Sequence, residues 1–219
     1  DSRQQDYIPA AFFIHFDKVY QQGQAAVDKH LEYFKYTQMD FVKIQYETAF
    51  PPRPELQKPA DWANMSVYPR DFYANQLDIV KGLVKGGKRH ALVLQTLYSP
   101  YMCASQTCRQ EGNNGKDRIT QQIKEDPELV KKGMEIVAES LMIFVKECIK
   151  LGVDGFYAST QGGEAGRFTG TSLFQDCIKP FDLYLMNEIN SACQFNILHV
   201  CDYDGGYDDL TPFVDYPGH

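Results

Sequence analysis

Apolar runs of strand length alternate along this chain with longer stretches of helical period. That alternation predicts parallel strands joined by crossover helices. Strands are expected over 10–16 (AAFFIHF), 41–47 (FVKIQYE), 91–97 (ALVLQTL), 153–160 (VDGFYAST) and 195–201 (FNILHVC). Helices are expected over 24–36, 70–84, 127–151, 172–178 and 180–192. The third of these carries the strongest signals. Asp126 is placed to cap it, Pro127 fits its first position and Glu128 suits its dipole. Val130, Met134, Val137, Leu141, Val145 and Cys148 recur at spacings of three and four, giving one buried stripe, and Gly152 ends it.

Two stretches interrupt the pattern. Pro51, Pro52, Pro54 and Pro59 rule out regular helix or central strand after the second strand, so that segment must run over a surface. Residues 103–118, with Gly112, Asn113, Asn114 and Gly115, read as loop. Val214, Asp215 and Tyr216 look like the start of a sixth strand. About five to six β-α units are therefore expected, whereas a closed barrel has eight strands. The expectation is an α/β fold, an incomplete (β/α)₈ barrel in a single domain over 1–219. No G-x-G-x-x-G follows the first strand, which disfavours a doubly wound dinucleotide fold, and neither repeats nor low-complexity segments occur.

Composition narrows the partners. The 219 residues are 43% hydrophobic and 13% aromatic, enough for one substantial core. A formal charge of -7 without any Lys/Arg cluster argues against nucleic acid. No run approaches the roughly 20 apolar residues of a membrane span, and Asp1 to Asp6 is polar, so a cytoplasmic protein with a small-molecule substrate and no membrane partner is expected. The six cysteines read as thiols, with Cys148 in the core.

In an α/β barrel, chemistry sits at the carboxyl ends of the strands. That rule selects His15, Glu47, Gln95 with Tyr98, Thr160 with Gln161, and His199 with Cys201. Each has two readings. His15 is either a site residue or a hydrogen-bonded core histidine, and Glu47 either faces a pocket or binds a loop amide. On a strand, residues two apart point to the same side, so His199 and Cys201 suit one zinc ion, although two ligands alone do not make a site. The run 160–166 (TQGGEAG) permits close backbone approach to a ligand or is an ordinary flexible loop; it lacks the Lys-Ser/Thr of a phosphate loop.

Taken together, LVLQTLYSPYM, GVDGFYASTQGGEAG, FQDCIKPFDLYLMNEI, NILHVCDY and VDYPGH resemble the uroporphyrinogen decarboxylase superfamily, in that order along nearly the whole chain. The resemblance implies a (β/α)₈ barrel whose lead-in and last strands lie outside this sequence. True decarboxylases carry an arginine-rich, RQAGRY-like motif at the first strand. Here that place reads FFIHFDKVYQQG, without arginine, and only Arg167 lies near a strand end. The zinc- and corrinoid-dependent methyltransferase branch carries H-x-C, which His199 and Cys201 match, although Asp202 stands where that branch often has glycine. The leading expectation is therefore zinc-dependent methyl transfer to a thiol from a corrinoid-type donor, with a corrinoid protein as a possible partner. His15, Glu47 and Tyr98 would be catalytic, Gln95, Thr160, Gln161 and Arg167 would bind substrate, and His199 and Cys201 would hold the metal. The alternatives are decarboxylation of a tetrapyrrole or smaller acid, with Tyr98 and His15 assisting protonation, and a non-catalytic corrinoid- or tetrapyrrole-binding relative. Oligomeric state is left open.

Overall fold

Four β-branched or aromatic-rich segments pair in parallel in the computed structural model, which describes residues 7–113, 115–201 and 206–218. They are β1 (Phe41–Ile44), β2 (Leu92–Leu97), β3 (Gly155–Thr160) and β4 (Ile197–Val200), and they stand side by side in chain order. This consecutive parallel order is that of one arc of a (β/α)₈ barrel. The reversal of a doubly wound sheet is absent among the described residues.

Cross-strand partners share a face of the sheet. The register pairs Lys43 with Leu94 and Gly155, Thr96 with Tyr157 and Ile197, and Ser159 with His199 on one face. The opposite face carries Val42 with Val93, Ile44 with Gln95 and Phe156, and Leu97 with Ala158 and Leu198. Helices cover this second face: α1 (Gly23–Thr37), α2 (Ala74–Gly87), α3 (Pro100–Thr107), α4 (Lys116–Glu125), α5 (Pro127–Leu151), α6 (Leu173–Cys177) and α7 (Lys179–Ala192). The long α5 is the hub of this layer. It is capped by Asp126, which accepts from Leu129 N at 3.1 Å, and it packs on α2, α3, α4 and α7. Its stripe from Val130 to Cys148 is buried as its period requires. Gly133 of α5 leaves room for the Trp62 ring, whose indole N–H donates to Gln122 at 2.7 Å. A Cβ at 133 would come within 2.4 Å of that ring.

Three expectations are corrected. Residues 10–16 form no strand. They run beside the start of β1, held by Ala10 N to the Asp40 carboxylate (2.6 Å) and Asp40 N to Ala10 O (3.0 Å), with Phe12, Phe13 and Ile14 partly exposed. Their apolar run signals a strand, but no neighbouring ladder of hydrogen bonds forms among the described residues. Within 103–118 lie the end of α3 and the start of α4. Ser99 caps α3 by accepting from Met102 N, with Pro100 at its first position. Residues 211–216 make a short 3-10 turn (Thr211–Phe213) rather than a strand. No helix of the described residues is long and apolar enough to cross a membrane.

Candidate active site

Along β1 and the residues just past its end, polar positions alternate with apolar ones, Lys43, Gln45 and Glu47 against Val42, Ile44 and Tyr46. In a strand whose helix side is fully buried, that alternation turns the polar set toward the barrel interior. Two adjoining cavities open on this face. One of about 370 Å³ is lined by His15, Glu47, Tyr98, Met102, Arg109 and Lys116, among others. The second, of about 270 Å³, is lined by Phe13, Lys43, Thr96, Tyr157, His199 and Cys201 and shares His15, Tyr98 and Met102 with the first.

His15 and Glu47 meet at the junction. Nδ1 of His15 lies 3.0 and 3.2 Å from the two carboxylate oxygens, and the Phe13 ring meets the imidazole edge-on at 4.7 Å. Glu47 is fixed from behind, its N–H donating to Gln76 Oε1 at 3.4 Å while Gln76 donates to Gln45 O at 2.8 Å. Tyr98 packs edge-on to Tyr46, with ring centroids 5.1 Å apart, and forms a wall of both cavities.

His199 and Cys201 stand on the edge of β4, both half-buried and both facing the smaller cavity, as residues two apart on a strand must. Burial, and secondarily the charge of Lys43, holds the His199 imidazole below its ordinary range and so neutral. Cys201 Sγ accepts from Gln161 Nε2 at 3.1 Å. Imidazole and thiolate are metal-donor types, but no group of three His, Cys, Asp or Glu that would hold a metal occurs among the described residues. Asp202 lies outside them.

The remaining expected residues lie elsewhere. Gln95 and Thr160 occupy the other parity of their strands and so face the helices. Gln95 Oε1 accepts from Gln76 at 3.4 Å, and the Thr160 hydroxyl donates to the carboxylate of Asp182 on α7. Arg167 ties its own loop together: Nε donates to Glu164 at 2.8 Å and a terminal nitrogen to Thr120 at 2.9 Å, while Glu164 also accepts from Gly162 N. It lines neither of the two cavities.

Three further cavity-lining residues escaped the strand-end rule. Arg109 and Lys116 come from the loop and helix that the sequence reading left undivided, and no sequence signal pointed to them. Lys43 did have a signal, a lysine alternating with apolar residues in a buried strand. Its amine lies 4.1 Å from the Phe13 ring centroid and 4.4 Å from that of Tyr157, and it contacts Gln45 Oε1 at 3.4 Å. Burial pushes it down to about 7, against the pull of Glu47. His30, also unforeseen, is structural. Its Nε2 accepts from Gln45 N (3.0 Å) and its Nδ1 donates to Ala26 O (2.7 Å), with burial pushing it down to about 4.

A family model for uroporphyrinogen decarboxylase (URO-D) matches residues 30–211. Among solved structures, a methyltransferase from Methanosarcina mazei superposes with a TM-score of 0.62 at 12% sequence identity, covering 84% of this chain and 58% of its own. The chain thus spans little more than half the length of that neighbour. No curated protein sequence matches.

Proposed function

Because the chain belongs to the uroporphyrinogen decarboxylase family, we propose that it is an enzyme of that family that transfers a methyl group to a thiol acceptor, with a corrinoid-type donor and a zinc ion held by His199 and Cys201. The observation that carries this reading is the placement of His199 and Cys201 side by side on one wall of the smaller cavity. The likeness in fold to a methyltransferase supports it, as does the absence of arginine from FFIHFDKVYQQG.

Both donors suit zinc in kind. A neutral imidazole is the ligating form, and a cysteine ligand binds as thiolate. With two donors among the described residues, the third protein ligand of a catalytic site would come from outside them. Zinc bound there would supply the Lewis acidity that favours the thiolate form of the acceptor. The chain's own groups do the rest. Gln161 positions the Cys201 sulfur through its N–H donation. The His15 imidazole, oriented by Glu47, takes the proton that the acceptor thiol loses. Tyr98 and Met102 form the wall common to both cavities, and Arg109 and Lys116 give the larger cavity its positive charge.

The test is thiol methylation from a methylcorrinoid, followed by the corrinoid spectrum and by mass of the thioether. Wild type should turn over and Cys201→Ser should not. A zinc-loaded, folded wild type that methylates no thiol would overturn the reading and favour decarboxylation or simple ligand binding.

A further inference from the structure

Lys43 has no part in that chemistry, yet it is built as a reactive group. Its side chain rises from the middle of β1 into the smaller cavity and is only 3% exposed. A buried ammonium is ordinarily matched by a carboxylate. The ion pairs found among the described residues include none to Lys43; its amine contacts two aromatic rings and the Gln45 amide oxygen, and its charge is felt at longer range by Glu47, His199 and His30. Burial favours the neutral amine and pushes its pKa down to about 7, while the two ring faces, the Gln45 oxygen and Glu47 act toward the charged form.

A second, independent feature of the same cavity points to a ligand. Thr96 is 2% exposed and lines the cavity, and its hydroxyl oxygen has no hydrogen-bond partner among the described residues. A buried hydroxyl without a partner calls for an explanation. Leu94 pairs with Lys43 across β1 and β2, and Thr96 is two residues further along on the same face, so the hydroxyl stands diagonally ahead of the amine toward the carboxyl ends.

We propose that Lys43 is a nucleophile that forms an imine with a small aldehyde or ketone bound in this cavity, with the Thr96 hydroxyl hydrogen-bonded to the carbonyl oxygen. The neutral amine nitrogen attacks the carbonyl carbon, and the carbonyl π pair moves to oxygen, which takes up a proton. The carbinolamine then expels that oxygen as water, leaving C=N. Amine and carbonyl give imine and water, with no change in oxidation state. Phe13 and Tyr157 flank the nitrogen and favour an apolar carbonyl compound.

Propionaldehyde with cyanoborohydride at pH 7.5 tests it, because hydride from the reagent fixes the imine as a secondary amine that peptide mass spectrometry locates. Lys43 should be alkylated at least about tenfold faster than exposed lysines, whose amines are almost wholly protonated at that pH. Thr96→Val, which keeps shape and removes the hydroxyl, should slow labelling of Lys43 severalfold and leave the exposed lysines unchanged. Labelling is read without corrinoid or thiol acceptor, so its outcome is independent of whether the protein methylates a thiol. Alkylation of Lys43 no faster than that of surface lysines, in folded wild type, overturns the proposal.

Discussion

Replacing Asp182 by asparagine should make the protein more stable in a way that depends on pH. Asp182 sits in the first turn of α7, fully buried, with one carboxylate oxygen accepting from Thr160 and, at 3.0 Å, from the Tyr216 hydroxyl. The other oxygen has no partner among the described residues. Burial pushes the carboxyl from 3.8 up to about 7, outweighing the two hydrogen bonds, which act to lower it. Between about pH 4 and pH 7 the folded protein therefore keeps a proton that the unfolded chain has lost. Stability falls as pH rises through this window, and the deficit persists above it. The size follows from the span between the two pKa values, roughly 4 kcal/mol at pH 8. Asparagine keeps an acceptor for Thr160 and Tyr216 without a charge to bury. Asp182→Asn should thus match wild type near pH 4 and exceed it by roughly 4 kcal/mol at pH 8, a rise in Tm of about 8–16 °C for a chain of this size. Urea unfolding of both proteins at pH 4.5 and 8 measures the gap. His30 and Lys43, whose lowered pKa values act with the opposite sign, affect both proteins equally and cancel in the difference. A gap that is the same at both pH values would refute the reasoning.

Two further outcomes follow from the site. A Cβ at Gly155 would lie 1.5 Å from the Phe195 carbonyl oxygen, so Gly155→Val should push β4 off β3. That should destabilise the protein and abolish metal retention at His199 and Cys201, read by chemical denaturation and elemental analysis. His15→Ala should lower kcat/KM for thiol methylation by about 10²-fold or more, as loss of a general base does. Glu47→Gln should cause a smaller fall, and unchanged kcat/KM in both would remove the dyad from the mechanism.

Most of the fold was legible because hydrophobic period decides the elements that lie under the helix layer. The helix expected over 127–151 is found with those ends, since stripe, cap and stop signal agree. The four strands were located to within a few residues, and they are shorter than expected at the ends where the chain turns into loops. The run AAFFIHF misled because apolar residues specify burial and not a partner. Phe12, Phe13 and Ile14 remain partly exposed. Helices α3 and α4 were hidden by the punctuation around them. Ser99-Pro100 stops a strand but also caps a helix, and Gly115 leads directly into α4.

The strand-end rule selected side chains of both parities. His15, Glu47, Tyr98, His199 and Cys201 line the cavities, and Gln161 reaches the Cys201 sulfur, whereas Gln95 and Thr160 are one residue out of phase. In a strand that one-residue difference moves a side chain to the opposite face. Lys43 lay in the correct phase in mid-strand, where the rule did not look.

That His199 and Cys201 hold a catalytic zinc is the core of the proposed methyl transfer. It is tested most directly by elemental analysis of the protein isolated without chelators, with each variant checked for fold. About one zinc per chain is expected, lost in His199→Ala and in Cys201→Ser and released from wild type as pH falls, because zinc needs neutral imidazole and thiolate. Folded wild-type protein that carries no zinc and takes up none from solution would contradict it.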